Sequence, residues 1–153
     1  MSGVSDDDWV LLSESGARSP VSLGMLNRVA ARAFDVTGAE GGEISLVVCN
    51  DRFIAELNRD YRKEQGPTDV LSFSLRDGEQ RGLTNGPLGD IVISAETAGR
   101  QARDEGSGLE QEFLLLFTHG LLHLLGYTHD QLQDAERMQS LTNTILEGVT
   151  EER

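Results

Sequence analysis

Apolar residues recur along this chain in two rhythms, and the switches between them mark out its elements. After the acidic run Ser5-Asp6-Asp7-Asp8, the short stretch Trp9-Val10-Leu11-Leu12 predicts a first strand. Ser19-Pro20 then predicts a helix start, because serine caps free amide groups and proline at the first helical position forfeits no hydrogen bond. Leu23, Leu26, Ala30, Ala33 and Phe34 follow at three- and four-residue spacing, giving an amphipathic helix that ends near Gly38. Glu43 to Cys49 carries Ile44, Leu46, Val47 and Val48 between Gly41-Gly42 and Asn50-Asp51, a β-branched run that predicts a strand. Asn50 or Asp51 caps the next helix, with Phe53, Ile54, Leu57 and Tyr61 on its buried side.

Gly66-Pro67 breaks the chain, after which Val70-Leu71-Ser72-Phe73 and Ile91-Val92-Ile93 predict two more strands. The Gly-rich polar loop between them, Arg76 to Pro87, is expected to be mobile. Ser94 caps a polar helix reaching about Glu105, and Gly106-Ser107-Gly108 separates it from the most apolar segment, Leu109 to Leu125. Apolar residues cover nearly all of that helix, so it is expected to be buried on several sides and to form the centre of the fold. Gly126 ends it, Thr128 to Asp130 turn, and a last amphipathic helix runs from about Gln131 through Met138, Leu141 and Ile145. Few, short strands interleaved with helices predict an α+β fold, a small mixed β-sheet of about four strands packed with helices.

Composition narrows the reading. The 153 residues, 38% hydrophobic and 25% charged, suit a single domain spanning 1–153. A formal net charge of -13 argues against holding nucleic acid by a general positive field, so any phosphate contact must be local. The lone Cys49 excludes an internal disulfide framework and suits a reducing, cytoplasmic setting. No stretch approaches the length of a membrane span, and Met1 to Asp8 is acidic where a secretory signal is basic and then apolar. An exported or membrane-inserted protein is therefore not expected.

All three histidines fall between residues 119 and 129, in Thr118-His119-Gly120-Leu121-Leu122-His123-Leu124-Leu125-Gly126-Tyr127-Thr128-His129-Asp130. His119 and His123, four apart on a helix, project from one face and can both reach one metal ion. Gly126 lets the chain leave the helix through a left-handed conformation, and the turn can bring His129 back to the same point. Two core histidines on one apolar face would each need a buried partner, whereas one ion satisfies both. Three imidazoles leave a fourth tetrahedral position for water, the mark of a catalytic zinc site. The segment is similar to the zinc protease motif His-Glu-x-x-His, but Gly120 stands where that motif has its general base, which weakens a peptidase reading.

The stretch from His119 to His129 resembles the signature of the YbeY family, bacterial metal-dependent endoribonucleases of ribosomal RNA maturation. Two further blocks agree: Leu57-Asn58-Arg59-Asp60-Tyr61-Arg62 with Pro67-Thr68-Asp69-Val70-Leu71-Ser72-Phe73, and Leu88-Gly89-Asp90-Ile91-Val92-Ile93-Ser94. The resemblance spans residues 43 to 138, with Thr128 a departure from the acidic residue usual there. It implies a zincin-like central metal-binding helix, one zinc ion per chain on His119, His123 and His129, and a functional arginine at Arg62. A guanidinium binds phosphate oxygens bidentately and stabilises the extra charge of a phosphoryl transition state. Arg52, Arg59 and Lys63 read as solvated surface charge.

Other residues in these blocks have structural readings. Asp69 suits a turn, Ser72 an outward strand position and Asp90 a strand start. Tyr127 suits packing, although an aromatic face beside a metal can also stack a base. Glu136 and Met138 match the family pattern and read as helix surface and core.

The expected function is thus a zinc-dependent, single-strand-favouring endoribonuclease acting in ribosomal RNA maturation and ribosome quality control. Ribosomal RNA is the expected partner, with docking to a small-subunit ribosomal protein or an assembly GTPase. Two alternatives stand beside it. A non-catalytic ribosome assembly factor would use zinc only as a staple, with a protein ligand such as Asp130 closing the fourth position. A metal hydrolase for a small ester or amide would hold the ion in a deep, narrow apolar pocket.

Overall fold

A computed structural model describes residues 8–75 and 86–151. The acidic run up to Asp7 and residues 76–85 of the expected polar loop lie outside the described residues. The opening apolar run forms β1 (Val10–Ser15). Its entry is fixed by the buried Asn27, whose side-chain oxygen accepts from the backbone N–H groups of Trp9 and Val10 at 2.8 and 2.9 Å. Asn27 lies on α1 (Leu23–Thr37), so strand and helix are tied directly.

The helix start expected at Ser19-Pro20 is corrected by the structure. Ser22 is the cap, its hydroxyl accepting from the Met25 N–H, and Ser19 instead closes a local turn through both backbone groups of Val21. Val21 is buried, so the chain is drawn into the core before the helix begins. Leu23, expected on the apolar stripe, is consequently 44% exposed, and Val29 joins Leu26, Ala30, Ala33 and Phe34 inside. The exit at Gly38 is as expected, with a left-handed φ of 74°.

The remaining strands are β2 (Ile44–Cys49), β3 (Val70–Ser74) and β4 (Gly89–Ser94). They form one four-stranded sheet in the order β1-β2-β4-β3, with β1, β2 and β4 parallel and β3 antiparallel to β4 at the edge. Alternation sorts their side chains. Ile44, Leu46, Val48, Ile91 and Ile93 enter the main core with α1, α4 (Leu109–Leu124) and α5 (Leu132–Glu151), while Cys49, Leu71 and Val92 meet Ile54 on the other face. With α2 (Asp51–Leu57) and α3 (Ala95–Glu105), this is an α+β architecture of a mixed four-stranded sheet and five helices among the described residues. No helix among them is long and apolar enough to cross a membrane.

Two local features set the position of the site. Asn50 caps α2, and Asp51 beside it accepts hydrogen bonds from the Ser94 and Thr97 hydroxyls at 2.6 and 2.7 Å and pairs with Arg100 at 2.8 Å. Burial pushes the Asp51 pKa up, but these three partners outweigh it and hold the carboxyl below its usual range, which ties the starts of α2 and α3 together. Beyond α2 the chain widens into a π-helical turn, Asn58–Arg62, that closes on Lys63 with φ 62°. Asn58 is buried, and its side chain donates to the Gly66 carbonyl at 3.0 Å, fastening the following loop. An uninterrupted α-helix would put Tyr61 in the stripe of Ile54 and Leu57. The i→i+5 bonding of the wider turn changes that phase, and Tyr61, expected to be buried, is 67% exposed.

α4 is buried as its composition predicts: Phe113, Phe117, Leu121 and Leu122 are fully enclosed. It packs on β3 and β4 and against α1, α3 and α5. Gly126 leaves it with φ 102°, the Tyr127 N–H bonding the Leu122 carbonyl and the Gly126 N–H that of His123, both at 3.0 Å.

Gly89 starts β4 with φ 151°, and a Cβ there would run into the Phe73 carbonyl oxygen and lie 3.0 Å from Leu124. Gly89→Ala is therefore expected to lower stability by about 2 kcal/mol or more. Gly99→Ala, in the interior of α3 with only Arg103 nearby, should gain up to about 1 kcal/mol. Urea unfolding of the two variants checks both signs.

Candidate active site

His119 and His123 stand one turn apart on α4, each half-buried, because the helix that carries them is held on several sides. His129, exposed, lies between α4 and α5; its ring centroid is 5.1 Å from that of His123, with the ring planes at 75°. Arg62 ends the π-helical turn with its side chain 51% exposed and 4.0 Å from Glu64. All four residues line one cavity of about 740 Å³, which the structure forms between β3, the π-helical turn, α4 and the start of α5.

The cavity also takes in Asp69 and Ser72, which turn and strand chemistry had assigned to structure alone. Asp69 does both jobs: one oxygen accepts from the Val70 N–H at 2.7 Å and the other from the Gln101 amide at 3.3 Å, while its charge acts on His119. Asp90 sits opposite Phe73 in the sheet and outside the cavity. Tyr127 packs on the core with the Arg137 guanidinium 5.7 Å from its ring centre. Glu136 is exposed, and Met138 is buried at the cavity wall. Tyr61, read from the sequence as buried, Thr68, given no role of its own there, and Gln139 line the same space. Thr68 and Gln139 arrive there through tertiary packing, for which no local pattern exists; Tyr61 was hidden by the change of helix phase.

Electrostatics favour neutral imidazoles. Burial, and then the neighbouring His123, lowers the His119 pKa despite the opposing charge of Asp69. Burial, and then His129, lowers that of His123 against a hydrogen bond to the Tyr127 backbone and the charge of Asp130. Neutral rings keep a lone pair free for an electrophile. The three rings share the cavity without converging: no group of three His, Cys, Asp or Glu side chains among the described residues is gathered as metal ligands.

Other chemistries are poorly served. Gly120 replaces the glutamate of the zinc protease motif, and a Cβ there would meet Ile91 at 3.0 Å, so a side chain would be pressed against β4. Cys49 is enclosed, its thiol pushed up to about 12 by burial and then by Asp51, and its Sγ lies 3.5 Å from the Ile93 carbonyl oxygen. It is not a nucleophile at neutral pH. A second cavity of about 670 Å³, near the N-terminal half of α4, is lined by Glu105, Glu110, Glu112 and Glu147 and by no histidine. There burial, and then Glu105, raises the Glu112 pKa.

The family model described as Endoribonuclease YbeY matches residues 21–150. The Endoribonuclease YbeY of Symbiobacterium thermophilum is 44% identical over 132 residues, covering 82% of this chain and 85% of that protein. The protein of the same name from Syntrophotalea carbinolica is 39% identical over 134 residues, covering 86% of this chain and 89% of that protein. In fold, the chain is similar to the solution structure of TM1509 from Thermotoga maritima, with a TM-score of 0.60 and 21% identity over 93% of both chains.

The lowered histidine pKa values make stability depend on pH. Unfolded histidine takes up a proton near pH 6.5, whereas folded His119 and His123 do so only at lower pH. In that window the unfolded state binds more protons, so stability rises with pH across it. Chelator-treated protein is expected to hold its stability above about pH 6.5 and to lose it as pH falls through the folded values. Urea titrations at several pH values check this, and His119→Asn should flatten the slope.

Proposed function

The chain belongs to the endoribonuclease YbeY family, and on that premise we propose that it is a zinc-dependent endoribonuclease that favours single strands. Its place is in ribosomal RNA maturation and ribosome quality control in the cytoplasm. The observation that carries the reading is that Arg62, His119, His123 and His129, brought from elements far apart in the chain, line one cavity.

The donor set suits the implied metal. Three imidazoles, two of them kept neutral by burial, match zinc's preference for nitrogen ligands, and His119, His123 and His129 would hold one ion. When bound, it supplies a positive charge that polarises water or a phosphoryl oxygen. α4 would serve as the zincin-like metal helix, its packing fixing the two imidazoles that it carries. Arg62 binds the non-bridging oxygens of the phosphodiester and stabilises their added charge, and its loose pairing with Glu64 leaves its donors available. Asp69, held by Val70 and Gln101, keeps a carboxylate beside His119 and favours a fixed ring orientation. Exposed His129 and Arg62 keep the cavity open to a polymer, unlike a narrow apolar pocket for a small ester.

A net charge of -13 limits affinity for free RNA, because counterion release normally supplies most of it. The shortfall is met by docking to a basic small-subunit ribosomal protein or to an assembly GTPase. Binding of free single-stranded RNA should be weak and fall steeply with salt. A nanomolar, salt-independent complex would contradict this.

Cleavage of a single-stranded ribosomal RNA fragment tests the whole reading. Chelation and His123→Ala should each abolish cleavage, zinc should restore only the chelated sample, and Arg62→Ala should lower kcat about a hundredfold with metal content unchanged. Equal rates in all samples would sink the metal nuclease.

A further inference from the structure

Tyr61 is spent in an unusual place. It is 67% exposed and is the only aromatic among the large hydrophobic residues exposed in the described chain. That exposure is imposed by the fold, because the π-helical turn rotates the ring off the stripe that Ile54 and Leu57 keep. Such wide turns occur frequently at functional sites. The ring is braced, meeting Phe73 of β3 edge to face at 5.7 Å and 67°, so its orientation is set while most of its surface stays in water. Arg62 follows it directly, and both line the cavity of the three histidines.

A cation that takes a phosphate, beside an aromatic face that takes a base, is the composition of a single-strand nucleic-acid subsite. We propose that Tyr61 is a stacking platform for an unpaired nucleobase of the RNA, next to the phosphate held by Arg62. The inference rests on the RNA reading above and deepens it. Bases within a duplex already stack on their neighbours, so a strand must present a free base to use this surface, which gives single-strand preference a physical source. Every base has a π-face, so the platform selects strandedness rather than sequence.

Two measurements test it, using single-stranded RNA with 2-aminopurine moved through successive positions. In steady-state cleavage, Tyr61→Ala should raise KM about tenfold or more with little change in kcat, and Tyr61→Phe should stay within about twofold of wild type. A strand made abasic at the position that stacks should give the same KM in all three, because no base is left there for the platform to take. In the His123→Ala background, where the strand is held but not cut, 2-aminopurine at one position should be quenched, with the quenching lost in Tyr61→Ala and kept in Tyr61→Phe. A wild-type KM in Tyr61→Ala, or equal damage from Tyr61→Phe, overturns the platform. Quenching that depends on Tyr61 in a protein that cuts no RNA would keep the platform and overturn the nuclease. A protein that neither cuts nor quenches overturns both.

Discussion

Because Gly120 has no side chain, α4 settles directly against Ile91 of β4, and the placement of the other elements follows from covering what that contact leaves open. Phe113, Phe117, Leu121 and Leu122 are fully enclosed, each contributing about 1.5–3 kcal/mol by leaving water. α1, α3 and α5 are the elements that enclose them. His119 and His123 therefore ride on a helix packed on several sides, where side-chain geometry is held by neighbours rather than by a loop. Arg62 and Tyr61 reach the same cavity by another rigid route: the Asp51 knot fixes where α2 begins, and Asn58 fixes where the widened turn ends.

Charge is distributed along α4 in keeping with this. Glu110 and Glu112 occupy its first turn, where helix N–H groups favour anions, and line a cavity with Glu105 and Glu147. The histidines sit toward the opposite end, where the helix carbonyls favour positive charge, and Arg59, Arg62 and Lys63 lie exposed on the neighbouring turn. The glutamate-lined cavity and the histidine-lined cavity thus lie toward opposite ends of one helix.

How much of this was legible in the sequence depended on whether the cause was local. The helix of α4, its exit at Gly126 and the shared face of His119 and His123 follow from periodicity and one glycine, and the structure reproduces them. The strand runs were likewise plain, because β-branched residues bounded by turn residues leave little choice. Ser19 and Ser22 are equally good caps in isolation; only the burial of Val21 decides between them. Tyr61 was misplaced because periodicity assumes an unbroken α-helix, and nothing in Asn58–Arg62 announces a change of hydrogen-bond ladder. Asp69 was half legible: its turn bond lies within the next residue, but Gln101 and His119 come from distant elements.

The exit from α4 has a thermodynamic side as well. With the Leu122 and His123 carbonyls already engaged by Tyr127 and Gly126, the chain is reversed before His129 is reached. The loop-closure entropy of bringing the last imidazole back toward the helix has largely been met during folding. An occupant that bridges His123 and His129 then has only side-chain torsions left to immobilise, and in doing so it braces the helix end against fraying. For such an occupant, affinity and the local order of this corner would be one linked quantity, so a substitution at Gly126 would weaken its binding without touching any of its contacts.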